Sequence, residues 1–304
     1  MGQMRELFPT PNSQNLVICT TSAGDNHFAA LISDCVPDLH LTATTQCFPL
    51  YYYEALDASD MFASKEKYVR KCAVSDFILN KARAQYKNPE IGKEDIFYYV
   101  YGFLHSAEYR RAFSADLKKM LPRIPLVDSA EDFWAFSEAG RKLARLHVGY
   151  ESAKPYEALV LSGKSEADLP MFQMAAESGA LYSESPETLY RVSQMRFAKK
   201  LGKDKNDKSK RIDDKSRIVY NEKLTIAGIP AEAYEYVVNG KSAIEWLMER
   251  YAVSTDKASG IVNDPNDWAA EHGDPAYIFN LLLRIVTVSL ETVKIVESLP
   301  KLEF

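Results

Sequence analysis

Cysteine is scarce and poorly spaced for a structural role: four residues in 304 (Cys19, Cys35, Cys47 and Cys72), all in the first quarter and none in a C-x-x-C pair. That excludes a disulfide framework and a zinc ribbon, and it points to a reducing cytoplasm. Cys35, His40 and Cys47 could in principle share a metal, but their irregular spacing favours buried thiols and a hydrogen-bonded imidazole. No apolar run reaches the roughly 20 residues that span a bilayer. The best stretch, 278–296, is broken by Arg284, Glu291 and Lys294 and reads as an amphipathic helix. The opening MGQMRELFPTPNSQN has no apolar signal-peptide core, and Met1-Gly2 is not followed by Ser or Thr at position six, so neither secretion nor myristoylation is expected.

Glycine motifs are missing too. No G-x-x-x-x-G-K-[ST] or G-x-G-x-x-G brings backbone N–H groups around a phosphate, and neither G-x-S-x-G nor H-E-x-x-H is present. There is no Asn/Asp-Pro-Pro-aromatic turn to hold a target amine; Asn263-Asp264-Pro265-Asn266 has the wrong third and fourth residues and reads as a turn. Asp213-Asp214-Lys215 matches the acid-x-Lys triplet of metal-dependent nucleases, but it sits in a charge-rich run that reads as solvated. The five His are scattered; His105 and His147 end apolar helical faces and read as partly buried, hydrogen-bonded side chains. No internal repeat is visible.

What is present is an ordinary globular composition, 46% hydrophobic and 26% charged, with 18 Tyr, 14 Phe and 3 Trp to build a core. Four segments are expected. Residues 1–88 form a mixed α/β part, with a strand at 16–20 and a helical stretch from Glu66 to Tyr86. Residues 89–149 are helical: Ile96, Tyr99, Val100, Phe103 and Leu104 mark one apolar face. Ser106 caps a helix carrying Tyr109, Phe113, Leu117 and Leu121, and Ser129 with Asp132 opens the next one. Residues 150–229 are β-rich around a basic loop. Residues 230–304 are helical, with a loop from Gly260 to Gly273 and a long helix from about Pro275. Strands and helices are segregated, so the expected class is α+β, with a helical hairpin and a C-terminal helical bundle-like cap, and not a doubly wound sheet.

The basic segment is the compositional anomaly. Twelve Lys/Arg face five Asp/Glu between Arg191 and Lys223, inside a chain whose net charge is −5. Its middle has almost no apolar residues, so it must be solvated; two strands, 189–197 and 218–226, are expected to flank it as a long loop. Lys and Arg so placed can neutralise phosphates, and Arg can read guanine in the major groove. A merely solubilising loop has the same composition.

Several words of this sequence, taken together and in order, resemble the C-terminal region of type ISP restriction–modification enzymes. They are KEDIFYYVYGFLHS (93–106) with Tyr109, DLKKMLPRIPLV (116–127), DFWAFSEAGRKL (132–143), IVYNE (218–222), Ile229-Pro230 through Tyr234, VNGKS (238–242) with Trp246 and Tyr251, GIVNDPNDW (260–268) and TVSLETVK (287–294). The 93–125 element also resembles the specificity region of combined type IIG enzymes. The resemblance implies a DNA target recognition, or specificity, domain lying downstream of an adenine methyltransferase, a helicase-like ATPase and a nuclease. S-adenosylmethionine, ATP and Mg would belong to those upstream domains and no cofactor to this chain, which would be an excised C-terminal portion or the product of a split gene. The resemblance carries over no catalytic residue.

Charge and placement then nominate the DNA contacts: Arg191, Arg196, Lys199, Lys200, Lys203, Lys205, Lys208, Lys210, Arg211, Lys215 and Arg217, with Tyr51, Tyr52, Arg70 and Lys71 as further contacts. Expected partners are double-stranded DNA and the upstream methyltransferase and helicase domains, with no membrane. Two other readings stay open. In one the chain is a structural docking module packed on the methyltransferase or helicase, with little DNA contact of its own. In the other it is a stand-alone enzyme resting on 213–215 or 263–266.

Overall fold

The computed structural model describes residues 2–42, 44–56, 67–162, 185–201 and 211–304. They fall into two compact units: Met1–Gly149 with Val238–Gly240 and Lys294–Phe304, and Tyr150–Val237 with Lys241–Val293. Helices and antiparallel sheets are both present, the expected α+β class.

The first unit begins with a short helix, α1 (Gly2–Leu7), and an antiparallel sheet ordered β2-β1-β3. Its strands are β1 (Val17–Thr21), β2 (Ala30–Ser33) and β3 (Thr45–Pro49). All five β1 side chains are buried, as a central strand covered on both faces requires. A separate ribbon pairs β4 (Tyr51–Ala55) with β5 (Tyr68–Cys72). This departs from the expected helix over 66–86: Tyr68 and Val69 are good strand formers, and the β4 edge supplies their hydrogen-bond partners. The helix there is shorter, α2 (Asp76–Tyr86), with Ser75 as its cap.

Then come α3 (Lys93–Phe103), α4 (Ala107–Ala112) and α5 (Ala130–Val148). Both anticipated caps form: Ser106 Oγ accepts from Tyr109 N at 3.2 Å and Ser129 Oγ from Asp132 N at 3.0 Å. The helix after Ser106 stops at Ala112 instead of running to Leu121, and tight turns follow. α3 and α5 cross at two glycines. A Cβ on Gly102 would lie 2.1 Å from the Phe136 carbonyl oxygen, and one on Gly140 would lie 1.9 Å from that of Tyr98. That approach lets Tyr99, Phe103, Phe133 and Phe136 pack as a fully buried aromatic core.

The second unit holds an antiparallel sheet ordered β6-β9-β8-β7. Its members are β6 (Leu159–Ser162), β7 (Arg196–Leu201), β8 (Arg211–Val219) and β9 (Leu224–Ala227), with a short helix, α6 (Pro186–Leu189), before β7. Helix α7 (Ala243–Arg250) starts on a capping box in which Ser242 and Glu245 exchange hydrogen bonds. A ribbon of Ser254–Thr255 against Val262–Asn263 leads to α8 (Pro265–Glu271). The expected loop over 260–273 is thus partly helical, because Asp264 caps Asn266 N at 2.9 Å and Pro265 takes the first helical position. From the last helix, α9 (Tyr277–Glu297), Ile278, Leu282 and Val286 bury against Ile218, Tyr220 and Ile226 of the sheet region. Among the described residues no helix is long and apolar enough to cross a membrane.

Candidate nucleic-acid interface

The basic segment is built differently from the loop its composition suggests. β7 and β8 carry the strands into it from both sides, pairing Lys199 with Asp213, Lys200 with Ile212 and Leu201 with Arg211. Residues 189–195 are not strand, and the run 218–226 is two strands folded at a turn where the Asn221 side chain accepts from Lys223 N at 2.8 Å and Leu224 N at 2.7 Å. Between Phe197 and Ala198 the register jumps, so Lys215, Ser216 and Arg217 form a bulge with no partners on β7, while Arg217 stays paired with Ala227 of β9. A bulge of this kind bends its strand and re-aims side chains.

Most cations of the segment whose side chains are described meet a carboxylate. Lys199 Nζ pairs with Asp213 at 2.5 Å, Lys200 with Asp214 at 3.1 Å and Lys215 with Glu245 at 2.8 Å, and Arg191 bonds Asp264. Burial alone would raise the Asp214 carboxyl, but hydrogen bonds from Ser216 and Lys200 hold it below its ordinary range. Burial opposes ionisation of Glu245 likewise, and Lys215 and Ser242 bring it down. Lys215 also lies 5.6 Å from the Phe197 ring centre and 5.2 Å from that of Tyr234. Arg196 is exposed and has no ion pair among the described residues. Arg217 is half-buried opposite Ala227. Lys203, Lys205, Lys208 and Lys210, and the Arg211 side chain, lie outside the described residues.

The triplet at 213–215 is divided among three different ion pairs. Among the described residues no group of three or more His, Cys, Asp or Glu side chains is gathered to hold a metal. Cys19 and Cys47 face each other across β1 and β3, while Cys35 is exposed beside Ser33.

The second cluster of nominated residues sits on the β4–β5 ribbon in the first unit. Strand alternation splits it. Tyr51 and Arg70 share one face, where the guanidinium lies 4.3 Å from the Tyr51 ring centre. Tyr52 and Lys71 are opposed on the other face, and Lys71 pairs there with Glu54. Burial, with the Glu94 carboxylate accepting its hydrogen bond at 2.5 Å, pushes the Tyr51 phenol up to about 12. So Tyr51 is a fixed platform for Arg70.

Residues without any distinguishing sequence signal complete this region. The buried Asn15 amide donates to Leu7 O at 3.1 Å and Tyr51 O at 2.7 Å, and its oxygen accepts from Leu16 N and Tyr51 N. Tyr53 Oη donates to Gln14 O at 2.8 Å. These bonds hold residues 9–14 beside the ribbon and frame a cleft of about 640 Å³.

The chain matches, over residues 1–281, the sequence model of the family described as Type ISP C-terminal specificity domain. No curated protein gives a significant match. Among solved structures it is similar to the ATP-dependent Type ISP restriction-modification enzyme LlaBIII bound to DNA, at 34% identity and a TM-score of 0.75 over 99% of this chain and 17% of that one. It is similar to a nuclease-deletion mutant of the Type ISP enzyme LlaGI in complex with a DNA substrate mimic, at 34% identity and 0.69 over 98% and 19%. It is also similar to DrdV in a cryo-EM DNA complex, at 29% identity and 0.74 over 99% and 26%. The chain therefore spans about a quarter or less of each of these relatives.

Proposed function

This chain belongs to the Type ISP C-terminal specificity domain family, and on that premise we propose that it recognises a target sequence in double-stranded DNA for a restriction–modification enzyme. The observation that carries the reading is similarity over nearly the whole chain to two Type ISP enzymes solved with DNA or a DNA mimic. The chain would position the duplex. Adenine methylation and ATP-driven cleavage would be performed by methyltransferase, helicase-like and nuclease domains upstream, which would bind S-adenosylmethionine, ATP and Mg. This chain assigns no residue to those steps, and a cytoplasmic location follows from the proposed substrate.

The basic hairpin supports the reading through its exposure. Lys199 and Lys200 are more than half exposed (55% and 54%), so their ion pairs are weak and phosphates can replace the carboxylates. Arg196, the bulged Lys215 and Arg217, Arg191, and Lys203, Lys205, Lys208, Lys210 and Arg211 extend the proposed contact. Tyr51, Tyr52, Arg70 and Lys71 are the proposed contribution of the ribbon. Phosphate contacts set register and affinity, and one or two side chains at base edges set the sequence.

Selection from a randomised pool of duplexes tests this. Pools bound by the chain should converge on one short motif; a bound pool as diverse as the input contradicts the proposal.

A further inference from the structure

Arg191, Lys199, Lys200 and Lys215 of the basic segment and Lys71 of the ribbon carry carboxylate partners, and the described cations of the cleft beside the ribbon do not. It is lined by the 9–14 segment on one side and by Tyr53, Lys67, Tyr68 and Arg70 on the other, with no Asp or Glu among the described lining residues. Pairing places Tyr53 opposite Arg70 and Ala55 opposite Tyr68, so Tyr53, Tyr68 and Arg70 share the face turned to the cleft. The one acid of the ribbon, Glu54, points to the opposite face and is engaged by Lys71.

Lys67 and Arg70 have no ion pair among the described residues. Arg70 is nonetheless ordered: it lies over Tyr51, itself anchored by Glu94, leaving the edge of the guanidinium free to donate. The facing loop offers neutral polar groups. Ser13 Oγ lies 2.9 Å from Thr10 Oγ1 and accepts from Thr10 N at 3.0 Å, which fixes the turn, and Asn12 at its tip is exposed. An ordered Arg70, the Lys67 ammonium, neutral donors and aromatic walls, with no carboxylate among the described lining residues, make a site for a phosphodiester.

We infer that this cleft in the first unit seats the phosphodiester backbone of duplex DNA, with Lys67 and Arg70 as its charged contacts and Asn12 as a neutral donor. The inference rests on the DNA reading above but concerns a different surface from the basic hairpin. In this account the ribbon positions the duplex and reads no bases.

The test is a titration of the chain with a fluorescein-labelled 40-base-pair duplex of mixed sequence at several salt concentrations. Each phosphate contact contributes roughly 0.9 to the slope of log affinity against log salt. The Lys67→Gln, Arg70→Gln double variant should therefore show a slope shallower by about 2, with the same weakening on every duplex sequence. Asn12→Asp leaves both cations in place, puts a carboxylate in the cleft and should also weaken binding. Unchanged affinity and slope in both variants, with the unmutated chain binding, overturns the inference and leaves the DNA reading standing. Failure of the unmutated chain to bind at low salt overturns both.

Discussion

His105 and His147 lie in the first unit's core within 5.7 Å of each other, centre to centre. Burial, aided by the nearby Arg110 charge, holds His147 down to about 3 and His105 well below its ordinary range. Both rings are neutral in the fold: Tyr101 Oη is 2.6 Å from His147 Nδ1, and His105 Nδ1 is 2.8 Å from Tyr101 O. In the unfolded chain each takes a proton near pH 6.5. Stability is then fully present above that pH and drains as the pH falls from 6.5 toward 3, by up to about 1.4 kcal/mol per pH unit for each ring. Thermal melts between pH 7 and 5 should show this fall, and a His105→Gln, His147→Gln variant should have a flatter profile; parallel profiles would contradict the assignment. Asn15 works by hydrogen bonds alone. Asn15→Ala strands buried backbone groups of Leu7 and Tyr51 and should cost on the order of 3 kcal/mol in denaturant unfolding. A change within experimental error would mean that water replaces the amide.

At the scale of elements, the α3–α5 crossing is set by absent side chains. Gly102→Ala puts a methyl where the Phe136 carbonyl stands. The helices must separate, and the expected loss is about 1–3 kcal/mol, read as a lower denaturation midpoint; an unchanged midpoint would mean that the crossing relaxes freely. The β7–β8 hairpin obeys a different rule. The lysines of its Lys–Asp pairs are more than half exposed, and the pairs add little to the fold. A Lys199→Gln, Lys200→Gln variant should melt like the unmutated chain yet bind DNA more weakly, whereas lowered melting with unchanged binding would make the pairs structural.

These elements also show what was legible in advance. The helices that open at Ser106 and Ser129 announce themselves through caps and apolar periodicity, which are local. The β4–β5 ribbon does not, because its partners lie across the segment 56–67 and its alternation is masked by three consecutive tyrosines. Lys and Asp are poor strand formers, so β7 and β8 looked like loop; their pairing comes from the opposite strand. The cations of the site were visible in composition. Their partners were not: Asp264 is 73 residues from Arg191, and Glu245 is 30 from Lys215.

For the whole molecule, a chain with net charge −5 is repelled by DNA at long range, so binding requires positive charge concentrated locally. The sequence supplies it between Arg191 and Lys223 and at Arg70, and the structure adds Lys67 beside Arg70. Phosphate contacts of this kind bind any duplex, and sequence recognition must appear as a difference between duplexes. The most direct measurement is the affinity of the chain for a duplex carrying the selected motif and for the same duplex with one motif base pair replaced, at physiological salt. If the chain reads sequence, a single replacement costs about 1–3 kcal/mol, roughly 5- to 150-fold in affinity. Equal affinity for the two duplexes would contradict sequence reading by the chain.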